Sequence, residues 1–238
     1  MTTPRATSIP RHGGIYRAGA VAALAIVALI PPQIVAFSVW PPPGAVVDWF
    51  ARFQQSWLLG LISADLLFLV SNTLLALVYL ALYFALREEA ESAMTIALVL
   101  GLLGIAAYLA SNTAFEMLAL SRQYAVATTE AERAIPLAAG RAMLVTSTGT
   151  TFDVYYVLDA IFLLIVAPVM LRGRTFSRLT GYMALASGVL MLIPSSAGTV
   201  GMIFSLASLV PWVWFSILIT RRMWALSVVG RRLSVASG

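Results

Sequence analysis

The sequence contains no cysteine and no lysine, and its only histidine is His12 near the N-terminus. Without cysteine the chain forms no disulfide, has no thiolate nucleophile and lacks the usual ligands of structural zinc and iron–sulfur clusters. Without lysine it cannot hold retinal or pyridoxal phosphate as a Schiff base. A single histidine is too few for a bis-histidine haem, and the acidic residues show no oxygen-ligand spacing motif. We therefore predict no cofactor and no metal site.

Charged residues are also scarce. They make up 11% of the 238 residues, against ~25% in a soluble domain, while apolar residues make up 61%. So few charges cannot cover a water-exposed surface, whereas lipid requires no such cover. At ~20 apolar residues per span the length accommodates six spans with their connections. The composition predicts an all-α fold, a polytopic transmembrane helix bundle.

Six apolar runs are bounded by charges or by Pro, Gly and Ser turns. Because backbone polar groups in hydrocarbon must be bonded internally, each run is predicted to be a helix of one transmembrane domain covering 1–238. The predicted spans are about 18–40, 57–86, 93–120, 151–171, 179–193 and 200–220. The first run contains Pro31 and Pro32 and is followed by no small-x-small cleavage site, so we expect a retained anchor rather than a signal peptide.

Two outer connections have a character of their own. Aromatic residues recur at helical spacing over about 48–57, at Trp49, Phe50, Phe53 and Trp57, which predicts a short interfacial helix. The outer loop at about 121–150 contains an amphipathic helix that begins with a capping-box pattern, Thr129 followed by Glu132. This loop is either a functional lid or a plain surface helix.

The arginines predict the orientation, because short cytoplasmic loops carry an excess of basic residues. With both termini in the cytoplasm, eleven arginines are cytoplasmic and four are not. The eleven are Arg5, Arg11, Arg17, Arg87, Arg172, Arg174, Arg178, Arg221, Arg222, Arg231 and Arg232, and the four are Arg52, Arg122, Arg133 and Arg141. Since the arginines flank spans and form no separate basic domain, we predict membrane lipid as a partner and no nucleic acid.

Acidic residues inside the spans are the most informative residues in the chain. A carboxylate at the bilayer centre costs ~2.5–3.5 kcal/mol on insertion scales, yet the spans contain Asp65, Glu116, Asp153 and Asp159. A rise of ~1.5 Å per residue places all four, and Gln33 of the first span, in the outer half of the bundle. We therefore expect them to surround a shared cavity.

Helical spacing extends this set. Asn72 lies seven residues from Asp65 on the second span, and on the third span Tyr108, Asn112 and Glu116 are each four apart. The predicted cavity lies between spans two, three and four. Its predicted ligand-binding residues are Asp65, Asn72, Tyr108, Asn112, Glu116, Asp153, Tyr156 and Asp159. The alternatives are that Glu116 and Asp153 reach headgroup water and that the asparagines only bond between helices.

Several segments resemble a known family. They are Ser-Asn-Thr-Ala-Phe-Glu-Met-Leu-Ala-Leu-Ser at 111–121, Gln-Tyr-Ala at 123–125, Thr-Thr-Glu-Ala-Glu-Arg-Ala at 128–134, Leu-Ala-Ala-Gly at 137–140, Gly-Thr at 149–150, Phe-Asp-Val-Tyr-Tyr at 152–156 and Val-Met-Leu-Arg at 169–172. In these the chain resembles the bacterial DUF4386 family of small membrane proteins, closely from the third span onward and loosely before it. The resemblance implies a six-helix protein of the bacterial inner (plasma) membrane, and it does not identify any catalytic residue.

Three functions remain open. The first is binding or transport of a cationic or amphipathic small molecule, or of protons, through an outward-facing acidic cavity. The second is an intramembrane enzyme acting on a lipid or isoprenoid, in which Asp65 pairs with Glu116 or Asp159 as acid and base. The third is a structural or accessory subunit whose acids only bond between helices. Six spans without an inverted repeat are few for a monomeric transporter, so the first function predicts a homo-oligomer.

Overall fold

The computed structural model describes residues 12–236, with side chains described as far as residue 229. This part of the chain forms nine α-helices and no strand, which confirms the all-α class. Four stretches are long and apolar enough to cross a membrane: Gly13–Val39, Leu66–Val126, Glu130–Arg172 and Gly198–Val229. Arg5 and Arg11, two arginines of the orientation count, lie outside the described residues, as do the side chains of Arg231 and Arg232.

The helices pack in two groups. They are α1 Gly13–Val39, α2 Val46–Gln55, α3 Trp57–Ser63, α4 Leu66–Ser111, α5 Ala114–Val126, α6 Glu130–Ser147, α7 Thr150–Arg172, α8 Arg178–Leu190 and α9 Gly198–Ala236. α1, α4, α7, α8 and α9 pack against one another as the main bundle, with one large apolar core. α2, α3, α5 and α6 form a second group with its own small core at one end of the bundle, here called the cap layer.

α4 is a helical hairpin rather than one straight helix. Its 46 residues would extend about 69 Å, more than twice the ~30 Å hydrocarbon core. The backbone leaves helical geometry at Ala90, with φ −159° and ψ 74°. The two arms fold back on each other, as contacts between them show. A Cβ at Gly101 of the second arm would lie 2.7 Å from the Tyr79 ring of the first arm, and the ring centroids of Phe68 and Tyr108 are 5.1 Å apart.

The predicted spans at 57–86 and 93–120 are both interrupted, and the interruptions lie side by side. Asp65 separates α3 from α4 and has a positive φ of 67°. Asn112 and Thr113 separate α4 from α5. The Asn112 amide Nδ2 donates a hydrogen bond of 3.3 Å to the carbonyl oxygen of Ala64, which satisfies one of the freed backbone groups. The helical stretches beyond these interruptions belong to the cap layer.

The aromatic helix at about 48–57 also differs from its prediction. It runs over Val46–Gln55, and Trp49, Phe50 and Phe53 are buried in the cap-layer core rather than exposed at headgroup level. Only Trp57, at the start of α3, is largely exposed. α5 and α6 pack against the apolar face of α2, so this face is buried within the protein and not at the membrane surface.

The opposite end of the bundle contains the bend at Ala90 and the turn between α7 and α8, and we call it the bend end. The Glu89 carboxylate Oε1 accepts hydrogen bonds from the backbone N–H groups of Arg174 and Thr175, at 3.0 and 2.9 Å. Arg222 Nε of α9 donates to the carbonyl oxygen of Thr175 at 2.5 Å. These contacts bring α4, α7, α8 and α9 together at one level.

Candidate functional site

A cavity of about 220 Å³ lies inside the bundle between α1, the first arm of α4, α7 and α9. Most of its wall is aliphatic or aromatic. Its polar wall residues are Gln33, Ser71, Asn72, Tyr155, Tyr156, Asp159, Ser205 and Ser208. Two further wall residues, Ile34 and Phe68, are 53% and 38% exposed, so the cavity is not sealed between α1 and α4.

Asp159 is the acidic residue in the cavity wall. It lies on α7, is 2% exposed, and has the Tyr79 hydroxyl beside its carboxyl group. Gly104 of the second α4 arm packs against it, since a Cβ there would lie 3.2 Å from Asp159 Oδ1. No arginine lines the cavity within the described part of the chain. A buried carboxylate of this kind is stable only if it is protonated or meets a cation.

Three wall residues on three different helices have buried polar atoms without a hydrogen-bond partner among the described residues. They are Asp159 through Oδ1, Asn72 through Oδ1, and Gln33 through both atoms of its amide. Asn72 uses its Nδ2 to donate to the carbonyl oxygen of Phe68 at 3.0 Å, which leaves only its oxygen unpaired. Each unpaired buried group costs about 1–3 kcal/mol. Of the seven unpaired buried side-chain atoms in the described part of the chain, four line this cavity, and the other three belong to Trp49, Tyr108 and Ser187. The meeting of four such atoms at one cavity indicates a place for a polar ligand group.

Local sequence explains how Gln33 reaches the cavity. Ile26, Ile30 and Gln33 are spaced by four and three residues, so they lie on one face of α1, and all three line the cavity. Pro31 and Pro32 lie within the helix and supply no backbone N–H, which removes two intrahelical hydrogen bonds beside Gln33.

Tyr156 and the aromatic residues around it form one part of the cavity wall. The Tyr156 hydroxyl donates a hydrogen bond of 2.6 Å to Ser205 Oγ, which connects α7 to α9 across the cavity. Behind it, the ring centroid of Tyr155 lies 5.0 Å from that of Tyr108 and 6.4 Å from that of Phe68. Edge-to-face and tilted ring pairs of this kind give the wall a fixed shape.

Asp65, Tyr108 and Asn112 form a neighbouring cluster that does not line the cavity. The Tyr108 hydroxyl faces both Asp65 and the Asn112 side chain. Tyr108 is 2% exposed and contacts Tyr155 and Phe68, which do line the cavity. The structure thus places these three predicted residues one layer beyond the wall, at the interruptions of the two α4 arms.

Glu116 and Asp153 lie elsewhere. Glu116 is exposed on α5 in the cap layer, because the helix that was expected to continue from Asn112 is interrupted there. Asp153 accepts a hydrogen bond from Ser196 Oγ and so connects α7 to the segment between α8 and α9. Of the eight predicted residues, the structure therefore brings Asn72, Tyr156 and Asp159 into one cavity wall.

The cavity also differs from its predicted place between spans two, three and four. Its wall includes α1 and α9, and Ser71, Tyr155, Ser205 and Ser208 were not among the predicted site residues. Ser205 and Ser208 lie on α9, outside the three spans between which the cavity was predicted. Their three-residue spacing was nevertheless a signal, because it places two hydroxyls on one face of an apolar helix.

No family model matches the chain, and no curated protein or solved structure matches it either. The resemblance to the DUF4386 family therefore stays a prediction that depends on the segments quoted above.

Proposed function

We propose that the protein is a six-span protein of the bacterial inner membrane with both termini in the cytoplasm. The six spans are α1, the two arms of α4, α7, α8 and α9. The proposal is supported by the hairpin of α4 and by the clustering of Arg87, Arg174 and Arg222 near the bend end. Cytoplasmic loops are rich in arginine, so we assign the bend end to the cytoplasm and the cap layer to the outside.

We further propose that the protein binds or transports a small cationic or amphipathic molecule in the cavity. The observation that carries this proposal is the set of unpaired polar atoms of Gln33, Asn72 and Asp159 in an otherwise apolar wall. Ligand pockets are mostly apolar with a few convergent polar groups, and this cavity has that composition. The incomplete seal beside Ile34 and Phe68 offers an entry for a ligand from the membrane.

The alternatives receive less support. The enzyme hypothesis requires paired carboxylates, but the two deep acids have different neighbours: Asp65 faces Tyr108, and Asp159 faces Tyr79. The structural hypothesis explains Asp153 and Asn112, which hold neighbouring segments together. It does not explain the unpaired atoms around the cavity, because these lower stability rather than raise it.

A cavity-filling substitution tests the binding proposal. Leu29 lines the cavity from α1, whereas Leu24 of the same helix lies outside it and is 60% exposed. We expect Leu29→Trp to fill the space and to displace the ligand, and Leu24→Trp to leave it bound. Small molecules that copurify with the wild type and with both variants are extracted and compared by mass spectrometry.

The expected result is at least one species that is present with the wild type and Leu24→Trp and depleted tenfold or more with Leu29→Trp. An identical set of molecules in all three preparations would argue against an occupied cavity. Thermal unfolding of each variant in detergent shows that the comparison is made between folded proteins.

A further inference from the structure

The unpaired atoms around the cavity indicate which polar group the ligand carries, a detail that the description 'cationic or amphipathic' does not give. Three of the four are oxygen acceptors: Gln33 Oε1, Asn72 Oδ1 and Asp159 Oδ1. The fourth, Gln33 Nε2, is the single donor. Acceptors thus outnumber donors among the unpaired atoms of the wall, and a ligand group that pairs with them must supply several N–H or O–H bonds.

Charge narrows the choice of donor. The sequence has no lysine, and no arginine is among the described residues that line the cavity. The Asp159 carboxylate is 2% exposed and has no cationic partner in the described part of the chain. Hydrogen bonds between a cationic donor and a carboxylate are about twice as strong as neutral ones. A positively charged donor therefore fits the wall better than a neutral hydroxyl.

We infer that the binding site proposed above takes a primary alkylammonium, whose three N–H donors meet the oxygens of Gln33, Asn72 and Asp159. This inference rests on the proposed binding function and names its substrate class. A quaternary ammonium has no N–H to donate and is usually held by aromatic faces instead. An alcohol has a single donor and no charge.

The apolar part of the wall fixes the size of the hydrocarbon chain. Ile26, Ile30, Leu75 and Leu209 line the cavity together with the polar groups. Benzene, with six carbon atoms, occupies an apolar cavity of roughly 150 Å³. By proportion, the cavity of about 220 Å³ holds on the order of nine non-hydrogen atoms. n-Octylamine has this size, and so do pentyltrimethylammonium and 1-octanol, which makes the three compounds a matched series.

Binding of the three compounds to the full chain in lipid nanodiscs is measured by isothermal titration calorimetry, with empty nanodiscs as the blank. We expect n-octylamine to bind at least tenfold more tightly than either of the other two. Asp159→Asn should weaken n-octylamine binding tenfold or more. Asp153→Asn, on the same helix but outside the cavity, should leave it unchanged.

The outcomes separate the two proposals. If pentyltrimethylammonium or 1-octanol binds as tightly as n-octylamine, the cavity binds ligands but the ammonium inference is wrong. If n-octylamine binds Asp159→Asn as well as it binds the wild type, the inference is also wrong. If none of the three compounds binds the wild type and no molecule copurifies with it, the binding function fails together with the inference. Binding of the three compounds to the wild type tests the ammonium inference even if a variant does not fold.

Discussion

Asp65 shows how one residue can have a conformational role where the sequence indicates a chemical one. The predicted depth of its carboxylate within the second span made Asp65 a candidate for the cavity. In the structure it lies in the interruption between α3 and α4, with a φ of 67°. Asp and Asn tolerate this left-handed region better than other residues with a side chain. The left-handed backbone conformation therefore accounts for an aspartate at this position.

Substitutions at Asp65 separate the two roles. Asp65→Asn removes the charge but keeps the tolerance for positive φ, so we expect the unfolding free energy to change little. Asp65→Val places a β-branched residue in the left-handed region and should lower stability by about 1–3 kcal/mol. Thermal or denaturant unfolding in detergent measures both. Equal losses in the two variants would assign the role to the carboxylate instead.

At the scale of elements, the Glu89 side chain connects the bend of α4 to the turn between α7 and α8. Glu89 precedes the bend at Ala90, and its carboxylate accepts hydrogen bonds from Arg174, from the Thr175 backbone and from the Thr175 hydroxyl, the last at 2.6 Å. The Glu89 carboxylate therefore accepts hydrogen bonds from backbone N–H groups that have no partner within the turn between α7 and α8. Glu91, two residues later, is exposed and makes no such side-chain contact among the described residues.

Glu89 and Glu91 form a matched pair for a stability measurement. Glu89→Ala leaves the N–H groups of Arg174 and Thr175 without this acceptor, and we expect a loss of about 1 kcal/mol, limited by the exposure of the site. Glu91→Ala removes the same charge and should have a much smaller effect. Denaturant unfolding of the two variants and the wild type in one detergent provides the comparison. Similar losses for both would show that only the local charge matters.

At the scale of the molecule, composition and periodicity predicted the helical class and the presence of several apolar stretches long enough to cross a membrane, because these depend on local patterns. They did not predict which helices meet. Residues of α1 and α9 share the cavity wall although they are far apart in sequence. The interruption at Asn112 was also missed, because the apolar pattern runs through it. Glu116 was consequently predicted to lie in a span, whereas it lies on α5 in the cap layer.

The absence of native cysteine makes the topology directly measurable. Ser92 lies just after the bend at Ala90, and Ala131 lies at the start of α6 in the cap layer, and both are exposed. A thiol reagent that does not cross membranes should label Ala131→Cys in intact cells, because we assign the cap layer to the outside. Ser92→Cys should react only after the cells are permeabilised, since we assign the bend end to the cytoplasm. Labelling of Ser92→Cys alone in intact cells would reverse the orientation, and labelling of both would contradict an arrangement in which the second arm of α4 crosses the membrane.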